Sequence, residues 1–84
     1  MELTDLPNIG PVLAEELKQV GIDTPEALAE IGAEEAWLRI RLQIDSGACL
    51  HKLTALAGAV DGVPKKMLPS ERKAGLKHFF DFHK

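Results

Sequence analysis

The sequence predicts an all-α fold, and three observations support this prediction. Apolar residues recur at helical spacing through nearly the whole chain, as they do on the buried faces of helices. No segment alternates apolar and polar residues in the period-two pattern of a half-buried strand. The chain has 84 residues, of which 45% are hydrophobic and 27% charged, and this suits one globule with one core. We therefore expect a compact five-helix bundle that forms a single domain over residues 1–84.

Capping residues define the first two helices. The first helix follows Pro11, because proline favours a helix start, and it ends at Gly21, which suits the left-handed position after a helix. The second begins at Thr24-Pro25-Glu26, which supplies an N-cap, a proline and an acid near the positive helix end. Their apolar faces carry Leu13, Leu17 and Val20, and then Ala27, Leu28 and Ile31.

Three further helices complete the predicted bundle. Gly32 separates the second helix from a third over residues 33–44, and Asp45-Ser46-Gly47 separates the third from a fourth. The fourth helix is expected to be central, because its apolar stripe is the most regular in the chain. Asp61-Gly62-Val63-Pro64 ends it, and Leu68-Pro69-Ser70-Glu71 begins the fifth. The faces of the three helices carry Trp37, Leu38, Ile40, Leu42 and Ile44; Cys49, Leu50, Leu53, Leu56, Ala57 and Val60; and Leu76, Phe79 and Phe80. The expected core includes Leu13, Leu17, Trp37, Leu53, Leu56, Phe79 and Phe80.

The chain also contains an internal repeat. The pattern Leu-x-x-Ile-Gly-x-x-x-Ala occurs over residues 6–14 and again over residues 28–36. An apolar pair that anchors a tight turn, a glycine that admits the backbone into a helix, and a small alanine are typical of a helix-hairpin-helix element. We expect such an element in the N-terminal half. A true duplication and a chance match of helical composition both fit the repeat.

More specific patterns surround this repeat. They are Leu6–Pro11, Ala14–Leu17, Val20–Leu28, Ile31–Trp37, Leu53–Gly62, and Leu68-Pro69 with Glu71-Arg72-Lys73. In order and spacing they resemble the C-terminal domain of the TfoX/Sxy competence-regulator family over essentially the entire chain. The resemblance implies a helix-hairpin-helix (SAM-like) bundle and a role beside transcriptional or competence regulation, and we expect a free-standing version of that domain. Lys65-Lys66-Met67 stands where the family tends to have an aromatic residue.

The turn at Asn8, Ile9 and Gly10 has two interpretations. Backbone amides at the start of a helix form a small anion site, so the turn is a candidate contact for a DNA phosphate. Glu15 and Glu16 follow within two turns of Gly10 and would repel a polyanion. The acidic neighbours favour the alternative, in which the segment is only a structural turn.

Charge divides the chain into two unequal parts. The net charge of −3 comprises −7 over residues 1–45 and +4 over residues 46–84. The overall value argues against a strongly basic nucleic-acid module, but the basic part could meet an acidic partner or nucleic acid. Alternatively, both parts are solvated helix faces. The candidate contact surface comprises Lys65, Lys66, Arg72, Lys73 and Lys77.

Histidine and cysteine do not combine into a metal or catalytic site in this sequence. His78 and Asp81 share a helix face, but His83 diverges from them around the helix. Cys49 and His51 stand two residues apart on one predicted helix, so they point to nearly opposite sides and cannot form a nucleophile-base pair. We expect neither a metal nor an organic cofactor.

Three residue types near helix ends receive structural interpretations. Cys49 lies on an apolar stripe and is expected to be a small buried hydrophobe. Ser46 and Ser70 stand beside helix starts, where capping explains them. Phe82 lies off the stripe of the last helix, and we expect it to pack beneath that helix; the alternative is an exposed docking residue.

These observations predict a non-enzymatic interaction module, because no cluster of acid, base and nucleophile supports catalysis. The leading hypothesis is a role in transcriptional or competence regulation through contacts with a protein partner. The alternative is weak, sequence-nonspecific DNA binding through the hairpin or the basic part, and no small-molecule substrate is expected. A single cysteine, an N-terminus without a signal-peptide pattern and the lack of a membrane-spanning apolar stretch predict a cytoplasmic protein.

Overall fold

The all-α prediction is confirmed by a computed structural model, which describes residues 1–83. Five α-helices and two 3-10 turns make up the regular structure, and no β-strand occurs in that range. Lys84, which the charge count placed in the basic part, lies outside the described residues. The helices are α1 (Pro11–Gln19), α2 (Pro25–Ile31), α3 (Ala33–Gln43), α4 (Leu50–Asp61) and α5 (Ser70–His83), and the 3-10 turns are Leu3–Asp5 and Lys65–Met67.

The first two helices begin at the caps that the sequence predicts. Gly10 is the extended N-cap of α1, and Pro11 fills the first helical position, where a missing N–H costs nothing. The Oγ1 of Thr24 accepts a hydrogen bond from the N–H of Ala27 at 3.0 Å and so caps α2. Local capping chemistry therefore fixes where the chain turns into each helix.

The two copies of the internal repeat occupy equivalent positions at two helix starts. Gly10 and Gly32 are the N-caps of α1 and α3. Their carbonyl oxygens accept the N–H of Ala14 at 3.0 Å and of Ala36 at 3.1 Å, and both alanines are buried. Helix α2 precedes Gly32, whereas only a 3-10 turn and a short loop precede Gly10. This arrangement is consistent with a helix-hairpin-helix element.

Helix α4 lies at the centre of the bundle, where it contacts α2, α3, α5 and the Lys65–Met67 turn. Half of its twelve residues are buried, whereas α5 buries Leu76 alone and leaves Phe79 and Phe80 half-buried against the core. The buried residues of α4 are Leu53, Ala55, Leu56, Ala57, Gly58 and Ala59. The small side chains among them let neighbouring elements approach the α4 backbone closely.

Trp37 joins α3 to α4 and α5. Its indole is fully buried, and the ring centroids of Phe79 and Phe80 lie 6.0 and 5.6 Å from it. Its Nε1–H donates to the carbonyl oxygen of Cys49 at 3.3 Å, just before α4 begins. The remaining expected core residues, Leu13, Leu17, Leu53 and Leu56, are buried in the same cluster.

The expected apolar face of α3 is wrong at its C-terminal end. Leu42 is 77% exposed, and Ile44 is also exposed. Leu42 stands two residues from the buried Ile40, so it points to the opposite side of the helix. Ile44 follows the last residue of α3, where the backbone leaves the helical path. The buried part of α3 therefore extends only to Ile40.

Two expectations at the start of α4 are also corrected. Cys49 is exposed rather than buried, because it is the extended N-cap residue of α4 and its side chain lies off the helical stripe. Ser46 does not cap α4, since the helix starts only at Leu50. In the intervening turn, Oδ1 of Asp45 accepts the N–H of Gly47 at 3.0 Å.

The expectation that Phe82 packs beneath the last helix is wrong. Its side chain is 79% exposed. Helix α5 continues regularly to His83, so the helical spacing carries Phe82 away from the face that Leu76 buries. The alternative, an exposed aromatic residue on the surface of α5, describes the structure.

Candidate functional site

A groove lined by lysines runs between the first half of α4, the Lys65–Met67 turn and α5. Its volume is about 360 Å³. We call it the lysine groove and define it by Leu50, His51, Thr54, Lys65, Lys66, Lys73 and Lys77. The structure thus brings four of the five predicted basic contact residues to one place, although they come from two separate elements.

Asn8 holds the basic turn in place. Its Nδ2 donates to the carbonyl oxygens of Val63 at 3.0 Å and Ala55 at 3.3 Å, and its Oδ1 accepts the N–H of Lys65 at 3.0 Å. Asn8 has φ of 70°, a left-handed conformation that asparagine tolerates better than most residues. One side chain therefore ties the N-terminal hairpin to the middle of α4 and to the segment after α4 that leads into the lysine groove.

Gly58 makes room for these contacts on the surface of α4. A Cβ at this position would lie 2.7 Å from the Val63 carbonyl oxygen and would overlap the amide of Asn8. The Val63 N–H also donates to the Gly58 carbonyl oxygen at 2.8 Å. The close approach of the chain at residues 63–65 to α4 therefore depends on a residue without a side chain.

The cations of the lysine groove differ in how they are paired. Lys77 pairs with Asp81 of its own helix at 2.9 Å. Lys73 donates to the Lys66 carbonyl oxygen at 3.2 Å, which orients its ammonium group without neutralising it. Within residues 1–83, no carboxylate pairs with the ammonium groups of Lys65 and Lys66. The groove therefore presents uncompensated positive charge.

The wall of the groove formed by α4 is largely apolar. Leu50 is half-buried, and the hydroxyl of Thr54 donates to the Leu50 carbonyl oxygen at 2.8 Å. Because that bond uses the only hydroxyl donor of the wall, Thr54 offers a ligand no free O–H. An occupant of the groove would meet apolar surface below and ammonium groups at the rim.

Lys52 fixes the first turn of α4 beside the groove. Its Nζ lies 2.8 Å from Oε1 of Glu16 in α1 and 3.1 Å from Oδ2 of Asp45. Partial burial opposes charging of Lys52, but the hydrogen bonds that its ammonium group donates to Glu16 and Asp45 outweigh this effect and raise the pKa of Lys52. The bond from Lys52, with the Gly47 N–H, holds the pKa of Asp45 below its ordinary value.

Arg72, the fifth predicted basic contact residue, lies outside the lysine groove. Its Nη1 is 3.0 Å from Oε2 of Glu34, and its Nε is 3.5 Å from Oδ2 of Asp61. Arg72 therefore links α5 to α3 and to the end of α4. Consecutive basic residues 72 and 73 point to different flanks of α5, which their spacing along a helix requires.

The predicted hairpin contact at Asn8, Ile9 and Gly10 separates into inward and outward parts. Ile9 is buried, and the polar atoms of Asn8 are engaged within the chain, while Gly10 is exposed. Glu16, expected to repel a polyanion, is paired with Lys52, whereas Glu15 is exposed. Asparagine in a hairpin turn signals a left-handed residue, but nothing in the sequence identifies its distant partners.

Neither a metal cluster nor a transmembrane helix occurs in the described part of the chain. No group of three or more His, Cys, Asp or Glu side chains within residues 1–83 is arranged to hold a metal ion. No helix in the same range is both long and apolar enough to span a bilayer.

Comparisons with known proteins agree with the resemblance seen in the sequence. The profile of the TfoX C-terminal domain matches residues 1–80. Protein Sxy of Escherichia coli (strain K12) is 38% identical over 79 residues, which cover 94% of this chain and 37% of Sxy. The chain thus spans little more than a third of that relative.

Two crystal structures of Listeria monocytogenes proteins of unknown function have closely similar folds. The protein in a triclinic crystal form matches with a TM-score of 0.92 and 44% identity, over 94% of this chain and 89% of that chain. The protein in a tetragonal form matches with a TM-score of 0.92 and 42% identity, over 96% of this chain and 99% of that chain. Both similarities extend over nearly all of the bundle.

Proposed function

Because the chain belongs to the TfoX C-terminal domain family and is a competence-regulator-related module, we propose that it acts without catalysis, by binding an acidic segment of a protein partner. The lysine groove is the proposed binding site. The observation that carries the proposal is the pair of uncompensated ammonium groups, Lys65 and Lys66, beside an apolar wall. In this view the single domain docks a partner in transcriptional or competence regulation.

The composition of the groove favours a protein segment over a bare polyanion. A nucleic-acid backbone needs cations spread over a polar surface, whereas this groove combines lysines with Leu50 and the methyl-bearing Thr54. An acidic amphipathic helix satisfies both features, since it offers carboxylates to the rim and apolar side chains to the wall. The lysine stems would cover part of its apolar face.

Exposed acids elsewhere on the molecule support the same choice. Glu15 on α1 and Glu26 and Glu30 on α2 are exposed and have no cationic partner within residues 1–83. They leave the hairpin side with a negative field that disfavours a long polyanion. A short acidic peptide confined to the groove largely avoids them, because interactions between exposed charges fade beyond about 10 Å at 0.1 M salt.

A defined peptide tests the proposal. The probe is a fluorescent helical peptide with glutamate and leucine on opposite faces, and the readout is fluorescence anisotropy together with amide chemical-shift changes. We expect shifts at Leu50, Thr54 and the Lys65–Met67 turn. The double variant Lys65→Glu/Lys66→Glu should weaken binding at least about tenfold, because opposite charges become like charges.

Matched variants separate the groove from general charge. Lys18→Glu makes the same change of charge at an exposed position of α1, and it should leave binding within about twofold. Leu50→Ala should weaken binding of the peptide but should not weaken binding of a simple polyanion such as polyglutamate. Equal losses in Lys18→Glu and Lys66→Glu, or no binding by the unaltered protein, would contradict the proposal.

Weak DNA binding is the second candidate function, and one contact favours it. The 3.0 Å hydrogen bond between Asn8 and the Lys65 backbone places the exposed Gly10 hairpin close to the basic turn. A phosphate could then meet helix-start amides and ammonium groups together. This juxtaposition joins the acidic and basic parts of the sequence in a way that the charge count alone does not indicate.

Duplex DNA titrated at low and then at higher salt tests this candidate. For a phosphate-driven complex, the logarithm of the binding constant should fall linearly with the logarithm of the salt concentration, with a slope of about −0.9 per contacted phosphate. It should also be lost in Lys65→Glu/Lys66→Glu. The absence of a complex at low salt, with protein above the roughly 10⁻⁴ M of weak nonspecific binding, would rule out DNA binding.

A further inference from the structure

The flank of α5 opposite the lysine groove carries an exposed stripe that no other helix of the described residues covers. The α5 stripe consists of Glu71, Gly75, His78 and Phe82, which are all exposed. Their spacing of four, three and four residues is the one with which a helix packs lengthwise against another helix. An open groove of about 430 Å³ runs along them, and Glu34 of α3 forms part of its opposite wall.

The packing of a single chain explains neither the glycine at position 75 nor the exposed aromatic ring at position 82 of the α5 stripe. A Cβ at Gly75 would meet no atom within 4 Å, so internal packing does not require a glycine in the middle of this helix. Glycine there makes the helix less stable than alanine would. Phe82 leaves 79% of its side chain exposed. A second helix explains both, because it would cover the aromatic ring and approach the backbone closely at Gly75.

The groove wall behind the stripe is fixed in position. Arg72 holds Glu34 at 3.0 Å and Asp61 at 3.5 Å, which ties α5 to both neighbouring helices along this flank. His83 stacks its ring 4.3 Å from Phe79 and lies 5.0 Å from Phe82. The surface is therefore formed before any partner arrives, and binding to it requires little rearrangement.

The helix dipole and the order of the polar groups along α5 point to a second copy in antiparallel orientation. Glu71 lies in the first turn, and His78 and His83 lie in the second half. An antiparallel pair places Glu71 of each copy beside the His83 end of the other, with opposed helix dipoles. A parallel pair would set like groups side by side. The same antiparallel pairing brings each Phe82 to the first two turns of the facing helix, where Gly75 leaves space.

We propose that two copies of this chain associate through their α5 stripes as an antiparallel, twofold-symmetric pair. Such an interface is self-complementary, because each stripe supplies both the aromatic residue and the space that receives it. It lies on the flank of α5 away from Lys73 and Lys77, so the dimer leaves the lysine groove open. This proposal does not rest on the function proposed above.

Sedimentation equilibrium over protein concentrations up to about 1 mM, the limit of weak association, tests the proposal. The average mass should rise with concentration from 9.2 kDa towards twice that value. Phe82→Glu should hold the protein at the monomer mass. Val12→Glu removes an exposed apolar side chain from α1 instead, and it should dimerise like the unaltered protein.

Gly75→Leu distinguishes the effect of this position on dimerisation from its effect on the stability of the helix. Leucine fills the open space in which the facing helix would lie, so dimerisation should be lost, while the melting temperature of the dilute monomer should rise. In a mixture of isotopically labelled and unlabelled copies, nuclear Overhauser effects should connect the Phe82 ring with Gly75 of the other copy. A protein that stays monomeric to about 1 mM, a dimer that survives Phe82→Glu, or contacts between the two Phe82 rings alone would overturn the proposal.

Discussion

Helices α4 and α5 each carry a glycine near the middle, and the two glycines have opposite surroundings. A side chain at Gly58 would strike the Val63 carbonyl and the Asn8 amide, whereas one at Gly75 would meet nothing within 4 Å. Helix α4 buries half of its residues against its neighbours, and α5 is attached mainly through Leu76 and its half-buried aromatic residues. The fold therefore depends on α4, while both flanks of α5 border open grooves.

The largest expected difference between the two helices is in the free energy of unfolding that is lost when a side chain is truncated. Leu56 is fully buried, so Leu56→Ala should lower the free energy of unfolding by about 2–5 kcal/mol. On α5, Phe82→Ala should change it by about 0.5 kcal/mol or less. Urea unfolding followed by circular dichroism measures both values. Similar losses for the two variants would show that α5 is as important to the fold as α4.

The two glycines should respond to alanine with opposite signs. Gly58→Ala forces a methyl group against backbone atoms, so it should destabilise the protein by about 1–3 kcal/mol. Gly75→Ala adds a better helix former in open space, so it should stabilise the monomer by about 0.5–1 kcal/mol. Thermal melts in dilute solution give both changes. A loss of stability for Gly75→Ala would mean that α5 packs more closely than its open flank indicates.

Asn8 should contribute to stability chiefly through the contacts that it makes near α4. Asn8→Gly keeps the left-handed backbone but removes three hydrogen bonds, so it should cost about 1–3 kcal/mol. Asn8→Ala should cost more, because alanine tolerates φ of 70° poorly. Both variants should also broaden the amide resonances of the Lys65–Met67 turn. On α5, Lys73→Met removes one exposed hydrogen bond and should have the smaller effect.

The ion pairs of the two helices should differ in their response to pH. The lowered pKa of Asp45 means that its contribution to stability is present above the ordinary value of about 3.8 and is lost as pH falls through the lowered pKa. The raised pKa of Lys52 means that its contribution to stability is present below the ordinary value of about 10.5 and is lost as pH rises through the raised pKa.

Melting temperatures across the pH range check this difference. Lys52→Met should flatten the profile at both extremes, and Asp45→Asn should flatten the acid side. The exposed Lys77–Asp81 pair of α5 is the control, and Lys77→Met should change stability by about 0.5 kcal/mol or less. An unchanged profile in Lys52→Met would show that the pair has no role in the pH dependence.

The helices were predictable because their signals are local. Pro11, Thr24 and Gly32 mark helix starts through backbone geometry and capping, which depend on a few neighbouring residues. The predictions that Cys49 and Ile44 are buried were wrong for a related reason. Each stands one residue outside a helix, so a helical periodicity extended by one position assigned it to the wrong face.

The candidate site was only partly predictable because it depends on contacts between distant residues. The sequence identified the basic residues, but it did not show that they lie on two surfaces. Lys73 lines the lysine groove, whereas Arg72 lies on the opposite flank of α5. It also placed the hairpin in the acidic part of the chain, whereas Asn8 holds it against Lys65 across 57 positions of sequence. No periodicity or local composition encodes such a pairing.

Trp37 gives the protein a built-in optical probe. The chain contains one tryptophan and no tyrosine, so its indole fluorescence comes from this side chain alone. The ring is enclosed by Phe79 and Phe80 of α5 and bonded to the Cys49 carbonyl. Detachment of α5 would admit water to the ring and shift its emission to the red while the other helices stay folded. The movement of α5 can thus be followed without a label.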